Sequence, residues 1–270
     1  MPSTRATSAL ASGPGSRFSA IRWREQTAST NADALAEART GHPEGLVVVA
    51  DHQTAGRGRQ GRTWTAPPGA SLLVSVLLRP PRAVVEACAT AVAVAAAEAV
   101  EEVAGFAPRL KWPNDLVWPG DGSGPDRKLS GILAEADWAE GGTAAVVVGI
   151  GINVSWPAEL PAELADIAIA CNHITDRAVD REDLLVALLQ ALDRHYTALV
   201  ADGDRQALLD EWRRRSATLG RRVRVELDDE DVVGTAVDVT PDGHLVVAPD
   251  EGPVRTFAVG DVIHLRTPVL

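Results

Sequence analysis

Lysine is almost missing from this chain of 270 residues: Lys111 and Lys128 are the only two, and the other 24 of its 26 basic residues are arginine. Arginine thus supplies every ordinary solvated cation. The two ammoniums are compact charges with three rotatable donors, unlike a planar guanidinium fork, and they point to close work on phosphate or carboxylate oxygens. Cysteine is scarce too. Cys88 and Cys171 have no CxxC partner, which excludes a disulfide framework and suits a reducing compartment, with the cytoplasm as the expected location. The histidines lack metal-ligand spacing, and Cys171 with His173 is an uninformative approach to a nucleophile–base pair. No apolar run reaches the roughly 18 residues that cross a bilayer, so no membrane association is expected. The Ala/Val-rich stretch from Ala87 to Val100 is flanked or interrupted by Glu86, Glu98, Glu101 and Glu102 and reads as a buried helix. No internal repeat is present.

What is there describes a globular protein, 46% hydrophobic and 23% charged, long enough for one large domain and a small one at about 100–200 residues per domain. The net charge of −11 argues against a surface that coats DNA or RNA. Residues 1–16, rich in Ser, Ala, Pro and Gly, read as a flexible tail rather than a signal peptide.

The succession of elements predicts an α+β fold. A capping box at Thr30–Asp33 opens a helix to about Thr40, and Leu46–Ala50 reads as a buried strand. A Gly/Arg-rich loop runs from Thr54 to about Ala66, then Ser71–Leu78 is a strand. A long helix spans about Arg82–Val103. Short strands are expected at Arg109–Lys111 and Asp115–Trp118, followed by a hairpin loop over Pro119–Asp126 that returns through Lys128 to Asp137. A turn at Glu140–Thr143 precedes the strand Ala144–Val154, and helices follow at about Arg181–Val200 and Asp204–Thr218. After Gly220, five short β-like runs separated by Asp-, Pro- and Gly-rich turns suggest a small barrel. Helix pairs mixed with hairpins favour α+β over a regular βαβ succession.

Five stretches carry chemistry. Gly56-Arg57-Gly58-Arg59-Gln60-Gly61-Arg62 combines backbone freedom with three cations, which suits a loop that is mobile when empty and orders over an anion. A nucleic-acid tether is the competing reading, and the acidity of the chain weighs against it. Lys111-Trp112-Pro113-Asn114-Asp115 sets an ammonium and a carboxylate at the ends of two short strands, with Pro113 holding Trp112 extended; such a pair can organise a magnesium-bound triphosphate. In Lys128-Leu129-Ser130-Gly131-Ile132-Leu133, alternation places Lys128, Ser130 and Ile132 on one face, and Gly131 permits close approach of a ligand or marks a bulge. Gly149-Ile150-Gly151-Ile152-Asn153 is no dinucleotide fingerprint. Its two glycines on one face could admit a flat ring with Asn153 as a polar reader, or serve tight packing. Ser29-Thr30-Asn31 caps a helix and could also hold a polar head group such as a urea.

Taken in order over about residues 20 to 270, these stretches resemble the biotin protein ligases, in the form without a DNA-binding element, since few residues precede Ser29. The resemblance implies a seven-stranded mixed sheet backed by helices, akin to class II aminoacyl-tRNA synthetases, over residues 17–218, and an SH3-like barrel over 219–270. It implies that Ser29, Thr30, Asn31 and Gln53 hold biotin, with Gly131 beside it. Arg57, Gly58 and Arg59 would hold the biotin carboxylate and the adenylate phosphate, and Lys128 would bridge the activated carboxyl and the α-phosphate. Arg62, Trp64, Asn114 and Asn153 fall on the nucleotide side. Lys111 and Asp115 would serve phosphate, Mg²⁺ or the incoming lysine. Ser130 stands where alanine is often found.

The implied reaction uses ATP and biotin to form an acyl adenylate, then passes biotin to a lysine of a biotin carboxyl carrier domain of acetyl-CoA carboxylase or a related carboxylase. Neither DNA nor a membrane is an expected partner, and a homodimer is left open. A lipoate or octanoate ligase, or a non-catalytic biotin-sensing regulator, are the alternatives.

Overall fold

The computed structural model describes residues 16–119, 125–138, 144–203, 205–227 and 229–265. The expected tail up to residue 15, the tip of the 119–126 hairpin loop and the turn at 140–143 lie outside them. Seven strands form one mixed sheet: β1 (Ala20–Thr27), β2 (Leu46–Gln53), β3 (Ser71–Leu78), β4 (Arg109–Lys111), β5 (Asp115–Trp118), β6 (Arg127–Trp138) and β7 (Ala144–Asn153). Their spatial order is β1-β2-β3-β7-β6-β5-β4. β1 runs parallel to β2, and the other neighbours are antiparallel.

Helices cover both faces. α1 (Thr30–Arg39) sets Ala34, Leu35 and Ala38 against Leu46, Val48, Leu77 and Val147. The opposite face carries α2 (Ala87–Ala104) and α4 (Arg181–Asp202), with α3 (Ala162–Ala165) a single turn before α4 and α5 (Gln206–Arg215) after it. The buried side of α2 is mostly alanine and valine, and these short side chains let α2 lie close to both the sheet and α4. By length and composition α4 could cross a membrane. Its leucines at 184, 185, 188, 189 and 192, however, are buried in the core that α2 and the sheet share.

The C-terminal strands β8 (Arg222–Glu226), β9 (Asp231–Val239), β10 (Leu245–Pro249), β11 (Arg255–Phe257) and β12 (Asp261–His264) form a second, antiparallel sheet in the order β11-β10-β9-β8-β12. This agrees with an SH3-like unit, although β11 and β12 are its outer strands and no closed barrel forms among the described residues. A polar joint ties it to the larger sheet. Trp112 donates its backbone N–H to Thr218 Oγ1 at 3.0 Å and its indole N–H to the Gly243 carbonyl at 2.9 Å. Thr218 Oγ1 lies 3.1 Å from His264 Nε2, and His264 Nδ1 lies 2.7 Å from Asp126 Oδ2, which also accepts from Arg221. Burial, helped by the charge of Lys111, pushes the His264 imidazole down. Burial works against the Asp126 carboxylate, but the hydrogen bond from His264 and the charge of Arg221 prevail and hold it below its usual range. Both shifts favour a neutral imidazole hydrogen-bonded to a carboxylate.

Some elements differ from the sequence expectation. β1 was not foreseen, because it is an edge strand in which only Ile21 and Trp23 alternate with Arg22 and Arg24, too short an apolar pattern to stand out. The cap of α1 is Ser29, whose Oγ accepts from Ala32 N at 3.5 Å. Asp33, expected to close a capping box on Thr30, instead accepts from Thr27 Oγ1 at 2.8 Å and pairs with Arg24 at 3.1 Å. α2 starts at Ala87, after a separate 3-10 turn over Arg82–Val84. α5 ends at Arg215, where Ser216 turns extended. The peptide bond between Trp112 and Pro113 is cis.

Candidate active site

The site forms on the α1 face of the large sheet, where the sequence leaves out side chains. Gly131 on β6 pairs with Gly151 on β7, and Leu133 pairs with Gly149, so the three glycines share one face. A Cβ at Gly149 would lie 2.0 Å from Asn31 Oδ1, and one at Gly151 would lie 2.7 Å from the Trp64 indole. At Gly131 a Cβ would meet the same indole at 2.8 Å. The flat ring admitted by these positions is thus Trp64 in this structure, lying across Gly131 and Gly151, while the space at Gly149 belongs to Asn31. The indole N–H is buried without a hydrogen-bond partner.

Strict alternation would place Lys128 with Ser130 and Ile132, away from Gly131. The structure corrects this. The β5–β6 register shifts at the Leu116–Val117 step, where Ser130 faces Leu116 and Lys128 faces Val117. The extra residue, Leu129, is a bulge that turns inward to the core and re-aims its neighbour. Lys128 therefore reaches over Gly131, with Nζ 2.7 Å from Asp115 Oδ1 and 5.5 Å from the centre of the Trp64 ring. Lys111 is paired across β4–β5 with Asp115 and so shares its face. Among the described residues it makes no ion pair. One ammonium is held and the other is free.

At the far end, the first turn of α1 meets the end of β2. Gln53 Oε1 accepts from the Thr30 N–H at 2.8 Å and from its hydroxyl at 3.1 Å. Ser75 donates to Asn31 Oδ1 at 2.6 Å or to Thr30 Oγ1 at 2.8 Å. Asn31 donates to the Leu133 carbonyl at 3.2 Å and to Glu135 Oε2 at 2.7 Å. Both N–H bonds of Asn31 are thereby committed, whereas the Ser29 hydroxyl hydrogen and the Gln53 amide N–H bonds stay available to an acceptor.

The Gly/Arg loop is ordered as a narrow hairpin. Arg57 bridges Thr63, Gly58 N donates to Arg62 O at 2.7 Å and Trp64 N donates to Gly56 O at 3.0 Å. Its tip, a 3-10 turn over Arg59–Gly61, needs φ 54° at Gln60 and 72° at Gly61. Carboxylates gather the three arginines. Arg57 meets Glu135 at 3.1 Å, and Arg62 meets Asp261 of β12. Arg59 reaches Asp261 at 3.8 Å and the Gly260 carbonyl at 3.4 Å. Burial lowers its pKa, opposed by the charges of Asp261 and Asp115. Asp261, Glu135 and Ser75 were not foreseen. The only available signal was for Glu135, whose spacing from Gly131 puts it on the same strand face.

With one exception, the residues that the resemblance assigns to the site line one cleft of about 370 Å³ between α1, the loop, β4–β7 and β12, the size of a small-molecule site. The exception is Asn153. It is 2% exposed and donates to the Ile169 carbonyl at 3.0 Å and weakly to that of Lys128. Its Oδ1 is buried and unpartnered. Asn114 donates to the Ile132 carbonyl at 2.6 Å. No cluster of three His, Cys, Asp or Glu side chains able to hold a metal occurs among the described residues, and Asp115 is already engaged by Lys128. Among the described residues these donors do not build a resident magnesium cage.

Residues 23–153 match the Biotin/lipoate A/B protein ligase family, and residues 218–265 match the Biotin protein ligase C terminal domain. The chain is 38% identical over 264 residues to a biotin--[acetyl-CoA-carboxylase] ligase of Mycobacterium tuberculosis, covering 94% of this chain and 92% of that one. It is 32% identical over 239 residues to the bifunctional ligase/repressor BirA of Bacillus subtilis, covering 87% of this chain and 71% of the other. Among solved structures, a biotin protein ligase of Aquifex aeolicus in complex with biotin and ATP superposes with a TM-score of 0.76 at 26% identity, over 93% of this chain and all of that one. The glycine floor, the arginine loop and the C-terminal sheet thus sit in a chain that belongs to the biotin protein ligase family.

Proposed function

We propose that the protein is an ATP-dependent biotin ligase that forms biotinyl-5'-AMP and transfers biotin to a lysine of a carboxyl carrier domain, working in the cytoplasm. The observation that carries this is the convergence of Lys128, Lys111 and the arginine loop on one end of a cleft whose other end offers uncharged donors. That polarity matches an acid with a polar, neutral head and a carboxylate tail. The Ser29 hydroxyl and Gln53 amide suit the ureido oxygen of biotin, Gly149 seats Asn31, and Gly131 lets Lys128 lie close to the floor. Arg57, Arg59 and the backbone of Gly58 suit the carboxylate and α-phosphate. Arg62, Trp64 and Asn114 are assigned to the nucleotide side; Asn153, buried outside the cleft, is not.

In the first step a biotin carboxylate oxygen attacks the α-phosphorus of MgATP, and the bond to the β-phosphate oxygen breaks to release pyrophosphate. Charge builds on the phosphoryl oxygens, where preorganised cations act most strongly. Lys128 is held over Gly131 by Asp115 for this task, and unpaired Lys111 can follow the departing pyrophosphate. In the second step the carrier amine attacks the activated carbonyl carbon, loses a proton and expels AMP. The closed arginine hairpin keeps water from the mixed anhydride meanwhile. We assign adenylation to residues 17–218 and loop closure to the contact with 219–270. Isotope exchange between ATP and pyrophosphate tests the reading: biotin should support it and lipoate or octanoate should not, and exchange indifferent to biotin would refute it.

A further inference from the structure

We propose that Glu135 is a positioning residue whose one carboxylate oxygen ties the order of the ligand pocket to the order of the arginine loop. It lies on β6 beside the cleft, on the face of Gly131, and does not line it. Its Oε2 accepts from Asn31 Nδ2 at 2.7 Å and from Arg57 Nη2 at 3.1 Å. On the pocket side, Asn31 also donates to Leu133 O, accepts from Ser75 and fills the gap at Gly149. Asn31 cannot rotate without losing several hydrogen bonds, and it follows Thr30, which holds Gln53. On the loop side, Arg57 starts the hairpin through its bridge to Thr63. Anchored at one nitrogen, its guanidinium keeps its other N–H bonds for a ligand. An ionised oxygen shared by two donors makes both bonds charge-assisted, and fixing either donor preorganises the carboxylate for the other. Occupation of the pocket and closure of the loop are coupled through this atom.

The kinetic consequence rests on the ligase reading; the geometry does not. Glu135→Gln retains an acceptor for Asn31 and removes the charge that holds Arg57. In the ligand-free protein, trypsin cleavage after Arg59 or Arg62 should then speed up about three- to tenfold, between the worth of an exposed ion pair and that of a hydrogen bond to a charged group. Release of the adenylate should accelerate by a similar factor, while the KM for biotin changes less than twofold. Arg57→Ala should speed the same cleavage by a similar factor and release the adenylate faster still, because it also removes a ligand contact, and adding Glu135→Gln to it should change neither further. A purely structural role predicts additive effects in the double variant and a lower unfolding temperature with an unchanged adenylate lifetime. Either that pattern or wild-type cleavage in Glu135→Gln overturns the proposal. If cleavage behaves as expected but wild-type protein shows no biotin-dependent exchange, the ligase reading fails and the coupling stands.

Discussion

On one side of the large sheet, Val74, Val148, Ile152 and Leu116 meet the alanines and valines of α2. On the other, the same strands present Gly131, Gly149 and Gly151, with Lys128 and Asp115 beside them. Period-two alternation allows one strand to do both. The packed face removes apolar area from water at roughly 25 cal/mol per Å², while the glycine face forgoes that gain and lets Trp64, Lys128 and Asn31 lie close against the sheet as the walls of the cleft. Stability and chemistry are therefore written on alternate residues of the same strands. A substitution should disturb one with limited effect on the other.

The largest effect that would sharpen this division is on the glycine face. Lys128→Arg should reduce biotin-dependent pyrophosphate exchange by about 10³-fold, comparable to losing a preorganised electrostatic group, with little change in thermal unfolding. A planar fork cannot both sit over Gly131 and keep the bond to Asp115. Retained activity would break the assignment. Next comes the packed face: Leu188→Ala in α4 should cost roughly 2–5 kcal/mol in denaturant unfolding, yet leave the KM for biotin near wild type in the folded fraction. A large change in KM would show that the faces are not independent.

Gly149→Ala probes the intrusion of α1 into the floor. The added methyl must displace Asn31, at a cost of about 1–3 kcal/mol for overpacking. This should appear as a raised KM for biotin and, through Glu135, faster proteolysis of the loop. The smallest effect is expected at Ser130, whose hydroxyl is fully buried and unpartnered on the packed face. Ser130→Ala should be neutral or stabilise by about 1 kcal/mol, since it removes an unsatisfied polar group. A clear destabilisation would mean that the hydroxyl has a partner, such as a buried water.

Much of this was legible because the signals are local. Strand Ser71–Leu78 and the short strands Arg109–Lys111 and Asp115–Trp118 agree with the sequence reading to the residue, since Pro, Gly and turn residues bound each run. The cleft residues were legible through composition: lone lysines among arginines, and glycines where bulk is forbidden. The face on which Lys128 sits was not. A bulge depends on the register with β5, which no alternation within β6 reveals. Nor was Asp261, which reaches Arg59 and Arg62 only because the C-terminal sheet docks beside the loop.

The chain by itself determined most of its elements, its family and the chemical types gathered at the site, because propensity, turn residues and side-chain chemistry are properties of short stretches. Only the tertiary structure decided which cation is held and which is free, that Asn31 is committed to Leu133 and Glu135, and that carboxylates from β6 and β12 hold the loop. Those facts depend on distances between residues far apart in sequence, and packing alone sets such distances.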